Sequence, residues 1–342
     1  MKNSTALTFA ALAANLLVEC ATAANVADNI NVKGSTPVTF TAHGSRIAAN
    51  LYLPTNFKEG QKYPAVVVAH PWGGVKEQTA GLYAQQLAAQ GFVTLAYDAS
   101  HYGQSEGLPR DFEDPADRID DIRSAVSFLI NRPEVNPNEI GALGICAGGG
   151  YTLHEAQDDP RVKVVATVSA YDIGSASREG ITGSPVTEAD RKALMQSVSE
   201  ELNRIAAGQA PAVYDLLPAK ETWTEKTDAF TREAYSYYKE PRGAHPNARN
   251  KFVFASLGLH QAYYPFDHLE KIAPRPVLLV AGDKAETFKF SQDALKKSPS
   301  NAELYVIHGA THFALYDKPQ YVQPIVNKIT VFFNDAFDAQ AR

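Results

Sequence analysis

The segment that most constrains this chain is Gly144-Ile145-Cys146-Ala147-Gly148. It follows the apolar run Ile140 to Ile145 and opens a stretch with helical spacing, so the backbone must pass from a buried strand into a helix within about one residue. Glycine on either side of Cys146 removes the Cβ atoms that would keep the flanking backbones apart. A residue at such a turn is held in a strained conformation with its side chain presented at the strand's end. Gly149 and Gly150 extend the small-residue surface on which the new helix can pack.

The rest of the chain supplies matching elements. Two opening strands are expected around the turn at Gly44, and Ala65 to Ala69 (AVVVA) is a β-branched run suited to a strand buried on both faces. Gln78 to Gln90 has helical spacing and stops at Gly91, and Phe92 to Tyr97 returns to strand. Asp117 to Leu129 places Ile119, Ile122, Ala125, Val126 and Leu129 on one stripe, and Val162 to Val168 is the next strand. From about residue 172 to 262 the pattern becomes helical and aromatic-rich, with helices expected over Ala189 to Ala207 and Thr222 to Lys239. This segment is read as a helical cap inserted into the sheet domain. Strands over Pro276 to Ala281 and Glu303 to Ile307, a helix near Phe290 to Lys297 and a final amphipathic helix complete an α/β architecture, a mostly parallel sheet flanked by helices.

The amino terminus carries Lys2, an apolar run from Ala6 to Val18 and the small residues Ala21-Thr22-Ala23. That pattern predicts a signal peptide over residues 1–23 and export to the periplasm or the medium. The run is too short to span a bilayer, which takes roughly 20 residues. Cleavage would remove Cys20 and leave Cys146 as the single thiol of a 24–342 domain, expected to be sheltered by the cap in an oxidising compartment. A net charge of −6 gives no electrostatic support for nucleic acid or membrane-surface partners, so a small molecule is the expected ligand; the sequence leaves the oligomeric state open.

A thiol at a strand-to-helix turn is a candidate nucleophile. The helix dipole and a nearby imidazole are expected to favour its thiolate. His312, in Gly309-Ala310-Thr311-His312 beyond the last strand, is the candidate base, with His308 as its rival. The orienting acid should follow the strand Pro276 to Ala281, where Asp283 is the first carboxylate; Glu286 and Asp172 remain alternatives. The order Cys146, Asp283, His312 is nucleophile, acid, base. Acyl chemistry also needs donors for an oxyanion, here the backbone N–H groups of Ala147 and, because Pro71 has none, of Trp72. His70 is read as ordering that loop. His154-Glu155 lacks the second histidine of a zinc motif, and the glycines near Cys146 lack a phosphate-loop lysine, so neither a metal nor another cofactor is expected.

The segments HPWGGVKEQTAG from His70, DASHYGQSEG from Asp98, DPADRIDDIRSAV from Asp114, GICAGGGY from Gly144 and GATHFALYD from Gly309 resemble those of dienelactone-hydrolase-related α/β-hydrolases. The chain is most similar to the capped branch that includes bacterial hydrolases and fungal polyketide transferases. The resemblance implies an α/β-hydrolase fold with Cys146 as nucleophile and His312 as base, and it covers nearly all of the chain beyond the signal segment, weakly in the cap. Hydrolysis of an ester, lactone or thioester is the expected activity, and acyl transfer to an alcohol or amine is the alternative. A non-catalytic ligand-binding member is a third reading, opposed by the intact Cys146 and His312. Small dienelactone hydrolases lack an insertion of this size, so their substrate is not carried over. The cap aromatics, among them Tyr214, Trp223, Phe230, Tyr237, Tyr238 and Phe252, are expected to line an apolar acyl pocket.

Overall fold

Residues 34–340 are described by a computed structural model. The expected signal segment, with Cys20, lies outside them. Eight strands make one sheet: β1 (Ser35–Ala42), β2 (Ser45–Tyr52), β3 (Tyr63–Ala69), β4 (Val93–Tyr97), β5 (Val135–Ile145), β6 (Val164–Val168), β11 (Val277–Gly282) and β12 (Ala302–Ile307), with β7 to β10 lying in the insertion. Their spatial order is β1-β2-β4-β3-β5-β6-β11-β12. β1 and β2 join antiparallel, and every pairing from β4 through β12 is parallel. This is an α/β-hydrolase sheet. β4, β6 and β11 are buried along their whole length, as their runs of Val, Leu and Ala require.

Helices α1 (Thr79–Ala89), α2 (Pro115–Ile130), α3 (Ala147–Asp158), α8 (Phe288–Lys297) and α10 (Pro319–Gln340) flank the sheet. α2 begins two residues before the expected Asp117, because the Asp114 side chain accepts the Ala116 N–H and Pro115 takes the first turn, where no N–H is needed. β5 begins earlier than expected, since Val135 pairs with Tyr63 before the register shifts to Ala65 and Ile140.

Between β6 and β11 the chain forms α4 (Ile173–Glu179), α5 (Glu188–Ala206), α6 (Ala229–Tyr238) and α7 (Ser256–Gln261). It also forms two ribbons not expected from the sequence, β7 (Gly180–Ile181) with β8 (Ser184–Pro185) and β9 (Val213–Asp215) with β10 (Lys251–Val253). With three residues at most in each strand, these carry too little alternation to be visible as sequence patterns. α6 is shorter than the expected Thr222 to Lys239 because Asp228 caps it, accepting the Thr231 N–H at 2.7 Å. Among the described residues no helix is long and apolar enough to cross a membrane.

Candidate active site

Cys146 lies between β5 and α3 with φ 56° and ψ −124°, a conformation that costs a non-glycine residue of order 1–3 kcal/mol. Surrounding bonds hold it there. Its N–H donates to Val168 O at 3.0 Å, and its carbonyl accepts from Gly149 N and Tyr171 N at 2.8 and 2.9 Å. The glycines fit because the backbones touch: a Cβ on Gly144 would fall 2.3 Å from Gly148 O, and one on Gly148 would fall 2.5 Å from Ala69 O. The free Cys146 thiol is 9% exposed and sits at the amino terminus of α3.

His312 follows β12 and is fully buried. Ser169 Oγ donates to its carbonyl at 2.9 Å, while the preceding Thr311 hydroxyl donates to Glu233 of the insertion at 2.8 Å. Its ring has two polar partners. Nδ1 lies 2.6 Å from Thr287 Oγ1, and Nε2 lies 3.0 Å from the Tyr316 hydroxyl. The Tyr316 hydroxyl, carried on α9 (Ala314–Asp317), thus occupies the Nε2 side of the imidazole.

The structure does not bring Asp283 to His312. β11 runs on through Gly282, and the Asp283 carboxylate turns to the surface, accepting the Gly309 N–H at 2.7 Å and lying 3.0 Å from Nδ1 of the exposed His308. That pair also accounts for the rival histidine. Of the alternative acids, Asp172 caps α4 by accepting the Ser175 N–H, and burial pushes its carboxyl up to about 6. Glu286 is raised by burial and by the like charges of Glu233 and Asp228. Neither has a hydrogen bond to His312. The side chain on Nδ1 is the neutral hydroxyl of Thr287, buried just ahead of α8.

The expected thiolate also gives way. Burial pushes the Cys146 thiol up to about 11, outweighing the polar influence of Tyr316 and Ala147, and burial alone holds His312 down to about 3. The helix terminus favours an anion, but desolvation at a closed site is the larger effect. The resting pair is therefore a neutral thiol and a neutral imidazole.

The loop after β3 forms the opposite wall. His70 donates Nδ1–H to Pro71 O at 2.6 Å and accepts the Ala99 N–H on Nε2 at 2.9 Å, the loop-ordering role expected of it. Buried Arg118 donates to the His70 carbonyl, lies 3.4 Å from buried Glu113 and stacks over Tyr151, whose hydroxyl donates to Glu113 at 2.9 Å. The backbone N–H of Trp72 makes no hydrogen bond among the described residues, and its indole meets Phe252 and His260 edge-on at 5.6 and 5.2 Å.

The insertion contributes rings to the site. Phe230 lies 5.2 Å from the His312 ring and 4.9 Å from Phe313; Tyr238 meets the Tyr316 ring edge-on at 6.4 Å, and Tyr237 packs on it at 5.0 Å. Tyr214 and Tyr264 are exposed instead. Sequence reasoning missed Tyr316, Thr287, Arg118 and Glu113. Only Tyr316 carried a usable signal, four residues after His312 in GATHFALYD and so one helical turn away if that segment coils.

The sequence matches the dienelactone hydrolase family over residues 47–215. It is 37% identical over 297 residues to the uncharacterized protein YcjY of Escherichia coli, covering 84% of this chain and 94% of that one. A hypothetical protein from Pseudomonas aeruginosa, known from a crystal structure, superposes with a TM-score of 0.82 at 34% identity, covering 88% of this chain and 93% of that one. Acyltransferase drtE of Aspergillus calidoustus is 24% identical, over 81% of this chain and 88% of its own. With the α/β-hydrolase sheet and the strained turn at Cys146, these similarities identify the chain as a member of the dienelactone hydrolase family.

Proposed function

We propose that this enzyme cleaves carboxylic esters, lactones or thioesters through an acyl-cysteine formed on Cys146, with His312 as the base. The observation that carries the reading is the strained, glycine-flanked turn that holds the Cys146 thiol between β5 and α3, with the buried imidazole of His312 beyond β12. In the first half-reaction the thiol proton passes to His312, the sulfur electron pair adds to the acyl carbonyl, and the carbonyl oxygen becomes an oxyanion. Ala147 N–H and the unengaged Trp72 N–H are the donors suited to receive it. Collapse breaks the bond to the leaving oxygen or sulfur, which takes the proton from His312 and leaves an acyl-thioester. A second acceptor, deprotonated by His312, then adds to the thioester carbonyl; collapse breaks the C–S bond, the acyl product leaves, and His312 returns the proton to the Cys146 sulfur. Thr287 stands in the third place of this triad, where Asp283 was expected. The test is a panel of acyl esters, lactones and thioesters with intact-mass detection of the acyl adduct on Cys146; turnover with no dependence on that thiol would end the reading.

Transfer of the acyl group to an alcohol or amine is the second reading. It is favoured by the burial of Cys146 and His312 beneath Phe230, Phe313 and Tyr238, which limits water at the acyl-enzyme. The activity named for the fungal relative points the same way. Product ratios measured with and without an alcohol acceptor separate the two.

Export after cleavage near Ala23 is part of the proposal, supported by the Lys2, apolar and Ala-Thr-Ala pattern. Mass measurement of protein recovered outside the cytoplasm, with Met1 retained, would overturn it.

A further inference from the structure

We propose that Arg118 is a positioning residue of the oxyanion hole: its guanidinium holds the His70 carbonyl and so fixes the turn that aims the Trp72 N–H. The inference deepens the acyl-cysteine reading and rests on it, since that reading makes Trp72 a donor.

The chain leaves β3 at Ala69 and turns through His70-Pro71-Trp72. Nε2 of His70 accepts the Ala99 N–H at 2.9 Å, so the ring proton is on Nδ1. The Pro71 carbonyl then accepts twice, from His70 Nδ1–H at 2.6 Å and from the Gly74 N–H at 3.0 Å. The Pro71–Trp72 peptide is trans, so its N–H points opposite to that carbonyl and away from the imidazole. That N–H makes no hydrogen bond among the described residues. The direction of the donor is therefore set by His70.

Two contacts keep His70 from turning. Ala99, two residues beyond β4, holds the far end of the ring. Nη2 of Arg118, on α2, donates to the His70 carbonyl and holds the backbone. The same carbonyl lies against the second residue of α3, where a Cβ on Gly148 would fall 2.7 Å from His70 O. A shift at His70 would thus move the Trp72 donor relative to the helix that begins just after Cys146.

Arg118 is itself clamped. Its buried guanidinium lies 3.4 Å from both carboxylate oxygens of Glu113 and 4.9 Å from the Tyr151 ring centroid. Glu113 accepts the Tyr151 hydroxyl at 2.9 Å, and its N–H donates to Ser256 Oγ on α7 of the insertion at 2.9 Å. A planar cation held on three sides cannot leave the carbonyl as a lysine ammonium could. A buried ion pair adds little stability over apolar groups of the same volume, so its presence beside the site calls for another role. Holding the carbonyl that precedes an oxyanion donor is such a role.

The test compares two reactions of one thiol, both followed by intact mass at neutral pH. Acylation of Cys146 by an activated ester builds an oxyanion, whereas alkylation by iodoacetamide expels iodide and builds none. Arg118→Met keeps the side-chain length and the contact with Tyr151 but donates nothing. It should slow acylation by about a hundredfold, the scale of a lost oxyanion donor, and leave alkylation within about twofold of wild type. The loss should fall on the maximal acylation rate, not on the ester concentration that gives half of it. Should the unpaired Glu113 prevent folding, the double variant Arg118→Met, Glu113→Gln removes both charges, keeps an acceptor for Tyr151 and should show the same split. A folded variant that acylates like wild type overturns the proposal. So does one in which acylation and alkylation fall together, because Arg118 would then support the whole site and not the donor. His70→Asn and His70→Gln check the intervening step. The asparagine amide nitrogen can stand in for Nδ1 and donate to Pro71 O, while the glutamine amide reaches only the Nε2 position. Asparagine should therefore retain more acylation, and equal losses overturn the assignment. Cys146→Ala separates the two levels of inference: retained turnover there ends the acyl-cysteine reading, whereas a dead Cys146→Ala beside an unaffected Arg118→Met ends the role of Arg118 alone.

Discussion

Thr287 Oγ1 sits 2.6 Å from Nδ1 of His312, in the place where a carboxylate would hold an imidazolium. A hydroxyl can orient the ring and fix its tautomer but supplies no negative charge. His312 is accordingly lowered to about 3 with burial as its cause and no anion to raise it. Such a base suits a thiol, which gives up its proton far more readily than a serine hydroxyl.

The first prediction separates orientation from charge at this contact. Thr287→Ala removes one buried hydrogen bond, worth about 1 kcal/mol, and should lower kcat/KM by about fivefold. Thr287→Asp brings a carboxylate to Nδ1, so the His312 pKa should rise and the acid limb of kcat/KM should move to higher pH. Steady-state profiles of the two variants check this; an unchanged acid limb in Thr287→Asp would remove Thr287 from the site.

The second prediction concerns the nucleophile. Cys146→Ala should lose acyl turnover while keeping its fold, since a methyl side chain leaves the turn's backbone bonds to Val168, Gly149 and Tyr171 in place. Cys146→Ser should also be slow, by roughly a thousandfold or more, because a base as weak as His312 cannot activate a hydroxyl well. Thermal melts and burst kinetics on one acyl ester measure both effects. A Cys146→Ser enzyme at wild-type rate would show that the base is stronger in the working state than its burial allows.

The third prediction is the shape of the pH profile. The proposed reaction needs neutral His312, which is present above its pKa and lost as pH falls through it. With that value near 3 and Cys146 near 11, kcat/KM of the free enzyme should be flat through neutrality, with no inflection near 6.5. An inflection near 6.5 that disappears in His312→Gln would mean that the free enzyme opens enough to rehydrate the pair.

Much of this was legible in the sequence, and the failures have a common cause. The run Ala65 to Ala69 and the glycines around Cys146 are local signals, and they correctly place a buried strand and a strained turn. The acid was chosen by distance along the chain. Asp283 does follow β11, but the direction in which it turns depends on the Gly309 N–H and His308, which come from the loop after β12. The thiolate is expected from the α3 terminus and a nearby imidazole. The rings that desolvate the site come from α6 and α9, far from Cys146 in sequence, so their effect on its pKa has no local trace. Thr287 has no pattern of its own. Long-range packing decides both where the Asp283 carboxylate turns and how far the thiol is desolvated.

The fourth prediction is a pH-dependent stability carried by His260. This buried imidazole is lowered from 6.5 to about 4 by desolvation. As pH falls, the unfolded chain binds the proton first, so stability present above about pH 6.5 is lost on the way down to about pH 4. Relative to His260→Gln, which does not titrate there, the wild type should lose of the order of 3 kcal/mol across that window. Denaturant melts of both proteins at pH 7 and pH 4 give the difference directly, and a constant difference would mean that His260 is protonated or solvated in the folded protein.

The last prediction tests how the insertion controls water and acyl choice. Phe230 contacts both the His312 ring and Phe313, so it covers the base from the cap side. Phe230→Ala should open a space beside His312, admit water to the acyl-enzyme and move the partition from alcohol transfer toward hydrolysis. Selectivity across the ester panel should shift as well, since the ring bounds the space beside the base that an apolar acyl chain can enter. The stability cost should be smaller than for a core aromatic, because Phe230 is only half-buried. Tyr264→Ala is the control: its ring is exposed on Arg178, away from the base, and its loss should leave partition and selectivity unchanged. If Phe230→Ala folds with the wild-type product ratio and the wild-type ranking of esters, the cap does not select the acyl group through this ring, and specificity moves to the wall built from Trp72, Phe252 and His260.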